Sequence, residues 1–478
     1  MPKRLLLIAV TFLVFCTWIG TSEAAADDVP DTPVGVQLRW AIEAFSGRDG
    51  RDPTPRFDPE FIRMLPESLP EPRAATAIFA ARQGVFQFGQ ARLIRIHEGA
   101  TETSLRADIK AEKSGTEYLL LLSVNEESGL INGFLLTHDT SRAPKGLDSW
   151  QAVNQAVSDL PGEVSILVAR ARDDGEGTPH LEPIYAAHPD RRLAIGSAFK
   201  LWVLGALAEL IREGEATWDE PLALDPTLQT MPIGALRMEA DRRNLGETAS
   251  FPLSRYADLM ISISDNPATD HLIRYIGQER IIEFMARTHG NPDVNTPFLT
   301  TGEMFKLKCG VPDEVLADYV ASTTPRQRAE IIASKAFQNA SIDLAKAVAW
   351  TLTGPIAIDS VEWFASAEEL AWTMLELRRL EQGEGMASLA RSLRINDGIN
   401  LNDEIWPSVS YKGGSEPGVL NLTFLAEHRE GGLWAVSLGW NNTEAGIDED
   451  RLIHLAVAIF SLIDSGRLPE GITPPVAE

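Results

Sequence analysis

The stretch Ser197-Ala198-Phe199-Lys200-Leu201-Trp202-Val203-Leu204-Gly205-Ala206-Leu207-Ala208-Glu209-Leu210-Ile211 decides how the rest of the chain is read. From Ala198 to Ile211 only Lys200 and Glu209 are charged, which predicts a buried helix. Ser197 stands at its start, directly after Gly196. Residues three apart share a helix face, so Lys200 lies beside Ser197. A serine hydroxyl is a poor nucleophile until a base takes its proton. A lysine set in an apolar wall can be that base, because burial disfavours its ammonium form. A helix N-terminus adds a field that favours negative charge on the serine oxygen. This is the only S-x-x-K in the chain. The same residues also fit a helix capped by Ser197, with Lys200 reaching along its stem to solvent.

Two more stretches carry polar groups suited to the same chemistry. In Tyr256-Ala257-Asp258-Leu259-Met260-Ile261-Ser262-Ile263-Ser264-Asp265-Asn266-Pro267-Ala268-Thr269-Asp270 an apolar helix ends in Ser264-Asp265-Asn266 before a second helix begins. There Ser264 can relay a proton, Asn266 can donate its amide to a carbonyl, and Asp265 can buttress the turn. An ordinary interhelix turn has the same composition. In Ser408-Val409-Ser410-Tyr411-Lys412-Gly413-Gly414-Ser415, strand alternation puts Ser410, Lys412 and Gly414 on one face. Gly413 and Gly414 permit close approach of a ligand to the backbone, and Lys412 suits a carboxylate. An edge strand guarded by a lysine reads the same way.

The conjunction is more specific than its members. S-x-x-K opening an apolar helix, then S-D-N, then K-x-G on a late strand, in that order, resembles the signature set of penicillin-recognising serine enzymes. From about Trp150 onward the chain is similar to the serine β-lactamase and penicillin-binding-protein superfamily in its class A-type arrangement. The pairing of domains also resembles a smaller family of serine hydrolases, one of them from a clavulanic-acid biosynthetic cluster. In that family a cystatin-like (steroid-isomerase-like, NTF2-like) domain precedes the hydrolase. The resemblance implies Ser197 as the acylated nucleophile and Lys200 as its base. It implies Ser264 as the proton relay to the leaving nitrogen and Asn266 as the holder of the substrate amide. Lys412 would attract the substrate carboxylate. The backbone N–H groups of Ser197 and Ser415 would form an oxyanion hole, with Gly414 giving access to it.

The chain departs from that pattern in three places. Gly413 stands where the family has a hydroxyl-bearing Thr, and Ser415 is the nearest substitute. No E-x-x-L-N follows Asn266; the nearest carboxylate is Glu303, in Thr301-Gly302-Glu303-Met304, which is the candidate base for hydrolysing an acyl-enzyme. An insertion runs from about Pro312 to Pro355. The readings in competition are an active hydrolase cleaving a β-lactam or another activated amide or ester, a penicillin-binding or esterase-like enzyme with slow deacylation, and a binding protein on the same fold without chemistry. Side-chain geometry discriminates them: chemistry requires Lys200 and Ser264 within hydrogen-bond reach of Ser197.

The rest of the chain frames these motifs. It has 478 residues, 44% of them hydrophobic and 23% charged, which is ordinary globular composition. Against 68 acidic residues stand only 43 Lys and Arg, a net charge of -25, which argues against nucleic acid and anionic lipid as partners. The eight His residues show no metal-binding spacing, and there is no P-loop, G-x-G-x-x-G or G-x-S-x-G, so neither a metal nor another cofactor is expected. Lys3 and Arg4, the apolar run Leu5 to Ile19 and Ala24-Ala25-Ala26 read as a signal peptide over residues 1–26, placing the mature protein in the periplasm or outside the cell. Cys309 is then the one cysteine left, so an intrachain disulfide is excluded.

Residues 30–145 read as a small α+β domain. Its helix spans Val34 to Phe45, and its strands lie at 85–88, 92–96, 104–112, 117–125 and 130–138, with a hairpin turn at Asn125 to Gly129. Residues 146–478 read as the hydrolase domain, an antiparallel sheet flanked by helices with an all-helical subdomain. Its elements are a helix at Trp150 to Ser158, strands at 164–172 and 181–187, a helical stretch from Ser197 to about Gln382, strands at 409–412, 419–427 and 433–440, and a closing helix from Arg451 to Asp464. The expected partner is a small molecule, and pairing of two copies through the first domain is compatible with this layout.

Overall fold

The computed structural model describes residues 29–46, 53–64, 90–97, 99–112, 117–138, 144, 146–173, 179–228, 230, 234–246, 248–399 and 401–469. The chain divides into two compact units, Met1–Asp139 and Thr140–Glu478. The expected signal peptide and the strand expected at 85–88 lie outside the described residues.

In the first unit, helix α1 (Pro33–Phe45) starts where Thr32 accepts the Gly35 N–H at 3.2 Å and Pro33 sets the first φ. Helix α2 (Pro59–Met64) follows. The strands β1 (Ala91–Ile96), β2 (Ser104–Ala111), β3 (Glu117–Val124) and β4 (Ile131–His138) form an antiparallel sheet in chain order. Val34, Leu38, Ala41 and Phe45 fall on one helix face and pack with Leu105, Ala107, Ile109, Leu120 and Leu122 of the sheet. The β3–β4 turn is where the sequence puts it: Asn125 Oδ1 accepts the N–H groups of Glu127 and Ser128, and Gly129 takes φ 66°.

The second unit begins with α3 (Trp150–Ser158), β5 (Glu163–Asp173), β6 (Pro179–Ala187) and the two-residue β7 (Leu193–Ala194). A 3-10 turn, Gly196–Phe199, leads into α4 (Lys200–Arg212). Next come β8 (Pro221–Ala223), α5 (Ala235–Arg242), β9 (Ser250–Pro252), α6 (Leu253–Ser262), α7 (Asn266–Ile276), α8 (Gln278–Arg287) and α9 (Thr301–Cys309). The insertion seen in the sequence is four helices, α10 (Asp313–Val320), α11 (Pro325–Ile332), α12 (Lys335–Asn339) and α13 (Leu344–Thr353), of which α10 and α13 pack on α9. The chain closes with β10 (Phe364–Ala365), α14 (Ala367–Glu381), α15 (Ala387–Arg394), β11 (Ser408–Glu416), β12 (Val419–Glu427), β13 (Leu433–Asn441) and α16 (Glu449–Asp464). The α+β class expected from the sequence is the class observed. The helical stretch is less continuous than expected, because the short strands β8, β9 and β10 interrupt it.

The main sheet has the order β11-β12-β13-β5-β6 and is antiparallel throughout. Its central strand β13 is buried along almost its whole length, as expected for a strand covered on both faces. The two faces differ in size. Trp434, Val436, Leu438 and Trp440 join the core built with α3 and α16, whereas Ala435 joins the core under α14 and α4. Small residues on the second face let α14 lie close across the strands.

The approach to Ser197 is fixed from both sides. Asn441 at the end of β13 accepts the Ala194 N–H at 2.8 Å and donates to the Ala194 carbonyl at 3.0 Å. The Ile195 N–H donates to the Trp363 carbonyl at 3.0 Å, and the Trp363 ring stacks on Phe199 with centroids 3.7 Å apart. Replacing Asn441 by Ala orphans a buried N–H and a buried C=O of β7. The expected cost is roughly 2–4 kcal/mol of unfolding free energy, read as a lower denaturant midpoint at unchanged slope.

Candidate active site

The structure brings the three stretches together around Lys200. Burial is complete: its side chain belongs to the core, although it carries an amine. The Nζ donates to Ser197 Oγ at 3.0 Å, to the Ser264 carbonyl at 2.8 Å, to Ser264 Oγ at 3.0 Å and to Asn266 Oδ1 at 2.6 Å. Lys412 reaches the same hydroxyl from the other side, with its Nζ 3.2 Å from Ser264 Oγ and 2.6 Å from the Gly413 carbonyl. Ser197, Lys200, Ser264, Asn266 and Lys412 therefore form one connected polar set. A snorkelling Lys200 and an edge-guarding Lys412 are both excluded, because neither side chain reaches solvent.

Local chain geometry explains the convergence. Ser197 does not cap a long helix. It lies in the 3-10 turn, and α4 begins at Lys200. The i and i+3 side chains eclipse in such a turn, which stacks Lys200 directly over Ser197. Ser264 takes φ 59°, a left-handed conformation uncommon outside Gly and Asn, and there both its carbonyl and its hydroxyl face Lys200. Asp265 fixes that turn: its Oδ1 accepts the Ala268 N–H at 2.7 Å as the cap of α7, and its Oδ2 accepts the Ala235 N–H at 2.6 Å.

The third stretch is the edge strand β11. Its hairpin to β12 turns through Pro417 and Gly418, and the closing pair is Glu416 with Val419. In a two-residue hairpin that pair exchanges both hydrogen bonds, so the N–H groups of even-numbered residues face β12 and the Ser415 N–H points outward, away from it. Two glycines let it meet the turn that carries Ser197. A Cβ at Gly414 would lie 2.4 Å from the Ser197 nitrogen, and one at Gly196 would lie 3.0 Å from the Ser415 nitrogen. The backbone nitrogens of Ser197 and Ser415 are thus neighbours across a contact that excludes side chains.

Electrostatics match the burial. Desolvation lowers the Lys200 pKa to about 7, opposed by the nearby carboxylates of Asp265 and Asp270. Lys412 is held well below the ordinary lysine value by burial and then by the Lys200 charge. Asp270 is raised to about 7 by burial, although the N–H groups of Thr301 and Gly302 and the Thr301 hydroxyl all donate to it.

Glu303 is held at the start of its own helix. It is the third residue of a capping box, where its Oε2 accepts the Thr300 N–H at 2.8 Å and Thr300 Oγ1 accepts the Glu303 N–H at 3.1 Å. The T-x-x-E spacing of Thr300 to Glu303 was the signal for this role. Strand alternation sets the Ser415 side chain on the face opposite Lys412 and Gly414, and Ser415 is exposed there. The space beside Gly413 is filled by the Tyr411 hydroxyl, 2.1 Å from where a Cβ would stand. A cavity of about 640 Å³ lies elsewhere in this unit, lined by Arg192, Tyr319, Ile358 and Asn442 among others and by none of the motif residues.

No match is found among curated proteins. Among solved structures, a β-lactamase from Sphaerobacter thermophilus is similar at 17% identity and a TM-score of 0.45, covering 68% of this chain and 100% of its own. A β-lactamase from Chitinophaga pinensis is similar at 13% identity and 0.43, covering 66% and 98%. A structure of PBP-A is similar at 16% identity and 0.39, covering 68% and 98%. Residues 149–340, which hold Ser197, Lys200, Ser264 and Asn266, match the model of the Beta-lactamase enzyme family, and this bears out the resemblance drawn from the motifs.

Proposed function

We propose that the chain is a serine hydrolase of β-lactamase type, acting outside the cytoplasm on a β-lactam or a related activated amide or ester. The observation that supports it most is the unbroken contact from Ser197 Oγ through Lys200 Nζ to Ser264 Oγ and Lys412 Nζ. Splayed side chains would have favoured a binding protein without chemistry.

In the proposed reaction Lys200, as neutral amine, takes the Ser197 proton. The Oγ attacks the substrate carbonyl, and the tetrahedral oxyanion lies between the Ser197 and Ser415 N–H groups. Lys412 takes the substrate carboxylate, whose charge favours the ammonium form that burial opposes, and the Asn266 amide holds the substrate amide. The C–N bond breaks as the proton passes from Lys200 through Ser264 to the leaving nitrogen, which leaves an ester on Ser197. Water then cleaves that ester and the Ser197 hydroxyl is restored. The engagement of Glu303 in the cap favours a second reading for this last step: slow deacylation, as in a penicillin-binding protein or esterase-like enzyme.

Intact-protein mass spectrometry after exposure to a penicillin tests the first step. The wild type gains one penicilloyl adduct and Ser197→Ala gains none; a wild type unlabelled by penicillins and activated esters alike overturns the proposal. Lys200→Ala is expected to slow acylation by ~10²–10⁴-fold. The rate should rise with pH through about 7, because the neutral amine is the active form and burial depresses its pKa to that range. Asp270 ionises in the same range and opposes loss of the Lys200 proton, so the observed midpoint belongs to the pair. Asp270→Asn should therefore move the rising limb to lower pH, measured by stopped-flow acylation.

A further inference from the structure

One buried charge cluster is unused by the proposed chemistry. The Lys308 side chain on α9 is wholly enclosed, as is Glu362, and Glu416 is 6% exposed. Lys308 Nζ donates to Glu362 Oε1 at 3.3 Å and to Glu416 Oε1 at 2.5 Å. The two carboxyl groups share this one ammonium, and Glu416 Oε2 is buried with no hydrogen-bond partner. Burial, and then the charge of Glu362, push the Glu416 carboxyl well up. The insertion closes the enclosure: Trp350 of α13 lies over the ammonium, 5.0 Å from ring centroid to Nζ.

The position of each carboxylate gives the cluster its meaning. Glu416 directly follows Ser415 on β11. Glu362 directly precedes Trp363, whose carbonyl accepts the Ile195 N–H and whose ring stacks on Phe199 of the nucleophile turn. A single ammonium thus ties the segment behind the Ser197 N–H to the segment carrying the Ser415 N–H. Both contacts span long stretches of chain, 54 residues to Glu362 and 108 to Glu416. Removing one partner of such a buried set leaves a charge uncompensated, so the segments must shift or take in water.

We infer that Lys308, Glu362 and Glu416 are positioning residues that hold the Ser415 end of β11 against the nucleophile turn, and that the α10–α13 insertion serves to keep this cluster dry. The inference rests on the oxyanion role proposed above for the two N–H groups. It predicts a loss of alignment at the site without loss of the fold.

The test compares wild type with Lys308→Met, Glu362→Gln and Glu416→Gln, the last keeping the shape and one acceptor if Lys308→Met fails to fold. Hydrogen exchange is followed in segments 195–199 and 413–418, with 164–170 of β5 as reference. Exchange in the first two segments should quicken by about tenfold or more while the reference holds. The acylation rate by a penicillin, normalised to the labelled fraction, should fall by about tenfold or more with little change in the non-covalent penicillin Kd. Unchanged exchange in both segments, or an equal rise in the reference, overturns the positioning role. A wild type that is never acylated overturns the proposed function instead, and the exchange measurement still decides the cluster.

Discussion

Lys200 carries an amine to a place that water does not reach, and four oxygen atoms from three residues surround it. An isolated ammonium so buried would be strongly unfavourable. The first ring of partners consists of neutral oxygens, which satisfy donors without supplying charge. The carboxylates of Asp265 and Asp270 act from further away. This balance keeps the amine near the midpoint of its titration at neutral pH. It can then accept a proton from a hydroxyl and hand one on, which neither a solvated lysine nor a tightly salt-bridged one does well.

That environment depends on backbone shapes as much as on side chains. The 3-10 turn eclipses Ser197 and Lys200, and the left-handed Ser264 aims two oxygens at one nitrogen. Both shapes are costly by themselves and are held by what surrounds them: Asp265 caps α7, and the Trp363–Phe199 stack presses on the turn. The edge of the main sheet completes the enclosure, because Gly414 and Gly196 remove the side chains that would separate β11 from Ser197. An edge strand is usually a liability, since it presents unpaired N–H groups. Here the outward N–H of Ser415 faces the turn that carries Ser197.

Much of this was legible in the sequence because it is local. The apolar run after Lys200 dictates a buried helix, the S-D-N triplet between two apolar runs dictates a turn, and alternation in Ser408 to Ser415 assigns Ser410, Lys412 and Gly414 to one face. The order of elements in the second unit follows from the same periodicities. The rest was not legible. Distance along the chain makes Glu303 a candidate base, Thr300 holds it in a cap, and spacing alone does not rank the two roles. The insertion had no readable role, because its one telling contact, Trp350 over Lys308, joins residues that make sense only in space.

Residue types and their spacing by themselves determined that a serine and a lysine would share one face at the head of a buried helix, because helical periodicity is a property of neighbours. They also determined that the late glycine pair could let one backbone approach another. Only the tertiary structure decided which partners Lys200 has, how dry it is, and which carboxylates are already engaged. Solvation and charge pairing depend on groups tens to hundreds of residues apart, and these meet only when the sheet edge, the nucleophile turn and the interhelix turn are packed around a common core.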